Sequence, residues 1–246
     1  GCSTGGHTDV GSRLISFAVA AAIREQHDLG LAVTSETAAR GIQLLRSRVL
    51  HGDLRSLIGL RERDLAATCV YAHLAPDGGF LHVWGDGAVA IARSDGSMSA
   101  SSFSWANNTP FYPVYGADSR WRFIQAHGCD LKGLVLTEER RQFSPEHGWQ
   151  EHAEIIPHTL MEGIAGITIP CSAEDIKEKI AYVAVFSDGV MHVCGMSWTK
   201  TVQELLAFKS RAGEFAKRRM IRFIKEARHI GKGPLDDIGY AVIQVI

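Results

Sequence analysis

Hydrophobic and polar positions along this chain change period several times, and each change marks an element. After a glycine-rich start, Leu14, Phe17, Ala18 and Ala21 recur at helical spacing between Val10 and Gln26, with Thr8 or Asp9 available to cap the first turn. A second helix is predicted over about 36–50, presenting Ile42, Leu45 and Val49 on one face. The period then drops to two. Ala66 to Leu74 is rich in strand formers, Pro76 to Gly79 supplies turn residues, and Phe80–Trp84 and Ala88–Arg93 follow as two further strands. These predict an antiparallel meander, with Gly85, Asp86 and Gly87 at the bend between its second and third strands.

From Ser97 to Cys171 the periodicity is weak. Strands are expected near 133–137 and 164–169, separated by long loops, so residues 97–171 read as a divergent insert or flap. A buried strand follows at Ala181–Phe186 and ends in Ser187, Asp188 and Gly189. One long helix is predicted from Thr201 to Arg228, with Met220, Phe223, Ile224 and Ala227 along one face, stopped by Gly231, Gly233 and Pro234. Asp236 and Asp237 then lead into a final strand over 238–246. Strands in a meander and helices in separate blocks indicate an α+β fold, read here as one domain over 1–246.

Composition narrows the classes. Lys and Arg total 26 against 27 Asp and Glu, which argues against a chain built to coat nucleic acid or an anionic membrane. The longest apolar run, Phe17 to Ile23, is far short of the ~18 residues of a membrane span. Five scattered cysteines form no C-x-x-C pair, which suits a reducing, cytoplasmic setting. One local asymmetry stands out. Between Lys209 and Lys232 there are nine basic residues against Glu214 and Glu226, a local charge of +7 that leaves −8 on the remainder. Such a face can dock nucleic acid or a phosphoprotein, although a solvated outer helix is the commoner reason for one.

Chemistry concentrates at two acidic corners. Asp188 ends one apolar strand and Asp236 precedes another. Carboxylates held at strand ends suit hard, oxygen-preferring cations, whereas turn aspartates that bond their own backbone are the blander reading. The chain opens on Gly1-Cys2-Ser3-Thr4-Gly5-Gly6, which reads as the middle of a glycine-rich loop, so a preceding segment is expected to be missing. The order glycine loop then helix, Gly85-Asp86-Gly87, Ser187-Asp188-Gly189 after a strand, and Asp236-Asp237 before one resembles the metal-dependent type 2C serine/threonine protein phosphatases.

That resemblance implies a four-layer α-β-β-α sandwich of two antiparallel sheets flanked by helices. It also implies two Mg²⁺ or Mn²⁺ ions whose bridging water attacks the phosphorus of a phosphoserine or phosphothreonine on a protein substrate. Carried over residue by residue, it makes Asp188 and Asp236 carboxylate ligands and Gly1 a carbonyl ligand. Asp86 would support the site without touching metal, and Asp237 is not taken as a ligand. His7 would either act as a general acid or brace the loop. The family's bridging aspartate before Gly1 is not in this sequence, which leaves a second expectation: a catalytically inactive pseudophosphatase that binds a partner or phosphoprotein. A regulatory protein partner is expected in either case, and no membrane.

Overall fold

A computed structural model describes residues 8–52, 57, 59–115, 120–126 and 134–246. Its helices are α1 (Thr8–Asp28), α2 (Ser35–His51), α3 (Arg120–Ala126), α4 (Leu160–Ala165), α5 (Ala173–Glu178), α6 (Trp198–Leu206) and α7 (Phe215–His229). The strands are β1 (Cys69–Ala75), β2 (Gly78–Trp84), β3 (Gly87–Arg93), β4 (Met98–Trp105), β5 (Leu136–Ser144), β6 (Gly148–Trp149), β7 (Glu154–His158), β8 (Ile167–Ser172), β9 (Ile180–Phe186) and β10 (Tyr240–Gln244).

Two antiparallel sheets result. One has the order β1-β2-β8, the other β10-β9-β3-β4-β5-β6, with β7 also paired to β5. Alternation along β9 shows how they become layers. Val183 and Val185 point into a core shared with Leu81 and Val83 of β2, Val89 of β3 and Phe103 of β4, which places that core between the sheets. Ala184 and Phe186, on the opposite face of β9, pack with Ala88, Ala90, Val202 and Leu205 and with Phe223 of α7. A third cluster joins Ile15 and Val19 of α1 and Ile42, Leu45 and Val49 of α2 to Cys69, Tyr71 and Trp84 on the outer face of the smaller sheet. Helices therefore cover both outer faces, and the chain is an α+β sandwich of four layers.

Several sequence expectations are corrected. The meander fails at its second turn. β1 pairs β2, but β2 goes on to β8 while β3 pairs β4 and β9, so the chain changes sheets between Trp84 and Gly87. On α1, Ile15 and Val19 are buried whereas Phe17 is 71% exposed, so the apolar face is rotated from the one predicted. Thr8 and Asp9 lie inside that helix rather than capping it. The helix predicted over 201–228 is two helices, broken between Leu206 and Phe215. Residues 98–172 supply β4 to β8, building both sheets.

Candidate metal centre

The change of sheets creates the first wall of the site. Gly85 and Gly87 adopt φ of +100° and +146°, backbone that L side chains rarely take. A Cβ on Gly85 would strike Thr68, and one on Gly87 would strike the Phe186 carbonyl and Val70. Trp105 Nε1 donates to the Gly85 carbonyl at 3.1 Å and fixes the corner. Asp86, between the glycines, is thereby driven inward until it is only 7% exposed. Its Oδ1 is buried and has no hydrogen-bond partner.

The second wall is a clamp between the ends of β9 and β10. Ser187 N–H donates to the Gly239 carbonyl at 2.8 Å, and Gly239 N–H donates to Ser187 Oγ at 2.9 Å. The Ser187 hydroxyl in turn donates to the Asp237 carbonyl at 3.1 Å. Gly189 lies so close to that same carbonyl that a Cβ would overlap it. Leu235 N–H donates to the His192 carbonyl at 2.8 Å, so the 235–239 segment is tied on both sides to the turn that follows β9. Asp236 Oδ1 accepts the Asp237 N–H at 2.7 Å, which sets its carboxylate direction.

These ties bring together three side chains. Asp188, His192 and Asp236 each offer a ligand atom, all within 4.8 Å of one another. For bonds of about 2.1 Å, ligands on one octahedral ion stand about 3 to 4.2 Å apart, so small side-chain movements suffice to share a cation. Asp86 lies behind them. Burial first, then the negative charge of Asp188 and more weakly that of Asp236, push its carboxyl up to about 7. Two carboxylates and an imidazole within reach of one ion, with the buried, unpartnered Asp86 oxygen close enough to feel the charge of both aspartates, form a set that a divalent cation would neutralise. On chemical grounds the residues fit one.

The predicted residues thus fall into two groups. Asp188 and Asp236 converge with Asp86 close behind, although 48 positions separate the first two and 102 separate Asp86 from Asp188. Gly1 and His7 lie outside the described residues. Sequence reading missed His192, which sits four positions after Asp188 and caps the short helical turn Asp188–Met191. That spacing from a strand-end aspartate was the available signal.

A family model described as Protein phosphatase 2C matches residues 1–223. The chain belongs to the protein phosphatase 2C family. Neither a search of curated proteins nor one of solved structures gave a match. The match to the type 2C phosphatase model stops inside α7, and Asp236 lies beyond it. Its inclusion in the site therefore rests on the Ser187 and His192 ties. The family generally uses metal ions, in keeping with the acidic, histidine-containing cluster. No described helix is long and apolar enough to cross a membrane.

Proposed function

We propose that this chain, as one domain over 1–246, is a metal-dependent phosphatase of phosphoserine and phosphothreonine in proteins. The observation that carries the reading is the convergence of Asp188, His192 and Asp236 in front of the buried, unpartnered Asp86 oxygen. Asp188 and Asp236 would hold Mg²⁺ or Mn²⁺ through carboxylate oxygens, His192 would add an imidazole nitrogen, and Gly1 would add its carbonyl. Bound there, the cation supplies Lewis acidity, lowering the pKa of a water and neutralising phosphoryl oxygens.

The chain's own contribution is positional. The Ser187 clamp holds Asp236 opposite Asp188, so both anionic ligands are oriented before any ion arrives. Asp86, whose carboxyl is pushed up to about 7 by burial and by Asp188, would add its negative charge from behind only when a nearby cation favours its ionised form. This arrangement needs no protein nucleophile, and it takes as substrate a phosphorylated protein in the cytoplasm.

The test is hydrolysis of a generic aryl phosphate and of a phosphothreonine peptide by the whole chain with added Mn²⁺. Turnover that EDTA abolishes and that falls sharply in Asp188→Ala and Asp236→Ala supports the reading. Activity surviving both substitutions would remove the metal assignment. Mn²⁺ binding without turnover would instead mark the pseudophosphatase, a binding module.

A further inference from the structure

A second polar feature lies at the far end of β9. Between α6 and α7 the chain turns through residues 207–214 and borders an open cavity lined by Phe208, Lys209, Ser210, Phe215, Arg218 and Arg222. The aromatic residues make a rigid frame. Phe208 packs edge-on against Phe215 at 4.8 Å between ring centres and against Tyr182 of β9 at 5.2 Å, and Arg211 lies over the Tyr182 ring at 5.3 Å. Phe208 and Arg211, on either side of Lys209 and Ser210, are thus both packed against Tyr182 of the sheet.

The charges around this cavity are unequal in their partners. Arg219 is buried and spoken for, paired with Glu204 at 2.7 Å and Glu226 at 3.3 Å. Arg218 donates to the Ala212 carbonyl, which aims its guanidinium without neutralising it. Among the described residues, Lys209, Arg218 and Arg222 have no carboxylate partner. Three cations therefore surround one concavity with no counter-ion, an arrangement that an anion relieves and that guanidinium groups recognise through paired N–H donors.

We propose that this cavity docks a phosphate group carried on an acidic segment of a partner protein, at a position separate from the metal centre. Four residues of β9, about 13 Å, separate Tyr182 from Phe186, and Asp188 lies two residues further still. A partner held here can present another part of its chain to the metal centre. The cavity is a single pocket rather than a track, and Glu214 and Glu226 interrupt the basic face of α7, which favours one phosphate over a nucleic-acid backbone or a lipid surface. The charge of −8 on the remainder of the chain disfavours extended polyanions further. Choosing a phosphoprotein as the source of the phosphate rests on the phosphatase reading above.

The experiment is fluorescence anisotropy of a labelled glutamate-rich peptide bearing two phosphoserines, titrated with the whole chain in EDTA so that the metal centre takes no part. The proteins are the native chain, Lys209→Glu/Arg222→Glu, the milder Arg222→Gln, and Asp188→Asn. The double variant should bind about tenfold more weakly or worse, and Arg222→Gln by a smaller factor. Asp188→Asn should bind as the native chain does, and inorganic phosphate should compete. The double variant should also keep native hydrolysis of a small aryl phosphate with Mn²⁺. Equal peptide binding by the native chain and both pocket variants would overturn the proposal. So would tighter binding of duplex DNA or phosphatidylserine vesicles than of the peptide. Peptide binding that persists in a native chain lacking all Mn²⁺-dependent hydrolysis would overturn the phosphatase reading and leave the pocket standing.

Discussion

Ser187 and Gly239 exchange two hydrogen bonds, from the Ser187 N–H to the Gly239 carbonyl at 2.8 Å and from the Gly239 N–H to Ser187 Oγ at 2.9 Å. The hydroxyl supplies one of the pair and also reaches the Asp237 carbonyl. Ser187→Ala removes both side-chain links and leaves the main-chain one. The expected outcome is a loss of about 1–2 kcal/mol in stability and about tenfold weaker Mn²⁺ binding. Chemical denaturation and calorimetric titration measure the two. Native Mn²⁺ affinity in this variant would show that the clamp does not position Asp236.

Gly189 meets the other side of the same segment. A methyl group there overlaps the Asp237 carbonyl, and backbone on both sides can yield only by separating the ends of β9 and β10. Gly189→Ala should therefore cost about 1–3 kcal/mol and weaken metal binding more than Ser187→Ala does. A variant with the native denaturation midpoint and native Mn²⁺ affinity would contradict this packing argument.

The three converging side chains predict distinct metal phenotypes. Asp188→Ala and Asp236→Ala should each lower Mn²⁺ affinity by about 100-fold or more, beyond the 10–100-fold typical of residues that merely orient ligands. His192→Ala should weaken Mn²⁺ more than Mg²⁺, because an imidazole nitrogen favours the transition metal while Mg²⁺ prefers oxygen. Nitrogen hyperfine coupling in the electron paramagnetic resonance of bound Mn²⁺, lost in His192→Ala, checks the ligand directly. Equal losses for both ions would remove His192 from the coordination set.

His82 gives the fold a pH dependence of its own. Its ring is 1% exposed, with Nδ1 on Thr168 Oγ1 at 2.8 Å and Nε2 unpartnered. Burial pulls its pKa down to about 4. Between that value and the ordinary one near 6.5 the unfolded chain binds the extra proton and the folded chain does not. Its contribution is therefore complete above pH 6.5 and is lost as pH falls toward 4, by about 3 kcal/mol in total. Denaturation midpoints of the native chain should drop between pH 7 and 4.5, and His82→Leu should lose part of that slope. Parallel curves for the two proteins would refute it.

Individual elements were legible in the sequence to differing degrees, for physical reasons. Ala181–Phe186 was found within a residue of its observed limits because a short apolar run bounded by turn formers has few alternatives. Gly85-Asp86-Gly87 was recognised as a bend, but alternation reports which face a residue occupies and not which strand lies beside it. The change of sheets at Asp86 was consequently invisible. The break between α6 and α7 was hidden because Phe208 and Phe215 keep an apolar rhythm across it, serving as an aromatic frame rather than as a helix face. Of the site, the two aspartates could be read from motif order, whereas His192 meets Asp236 only through hydrogen bonds made 40 or more residues along the chain.

The two-faced apolar character of β9 has a cost outside the folded state. Its segment Ala181–Phe186 carries no charge and no proline, and along one edge it is covered only by β10, which is half-exposed on alternate residues. If β10 unzips, β9 becomes a bare hydrophobic edge able to pair with the same strand of another molecule. The Ser187 clamp at the root of β10 thus also guards against self-association, and variants that loosen it should precipitate on heating before they lose their helices.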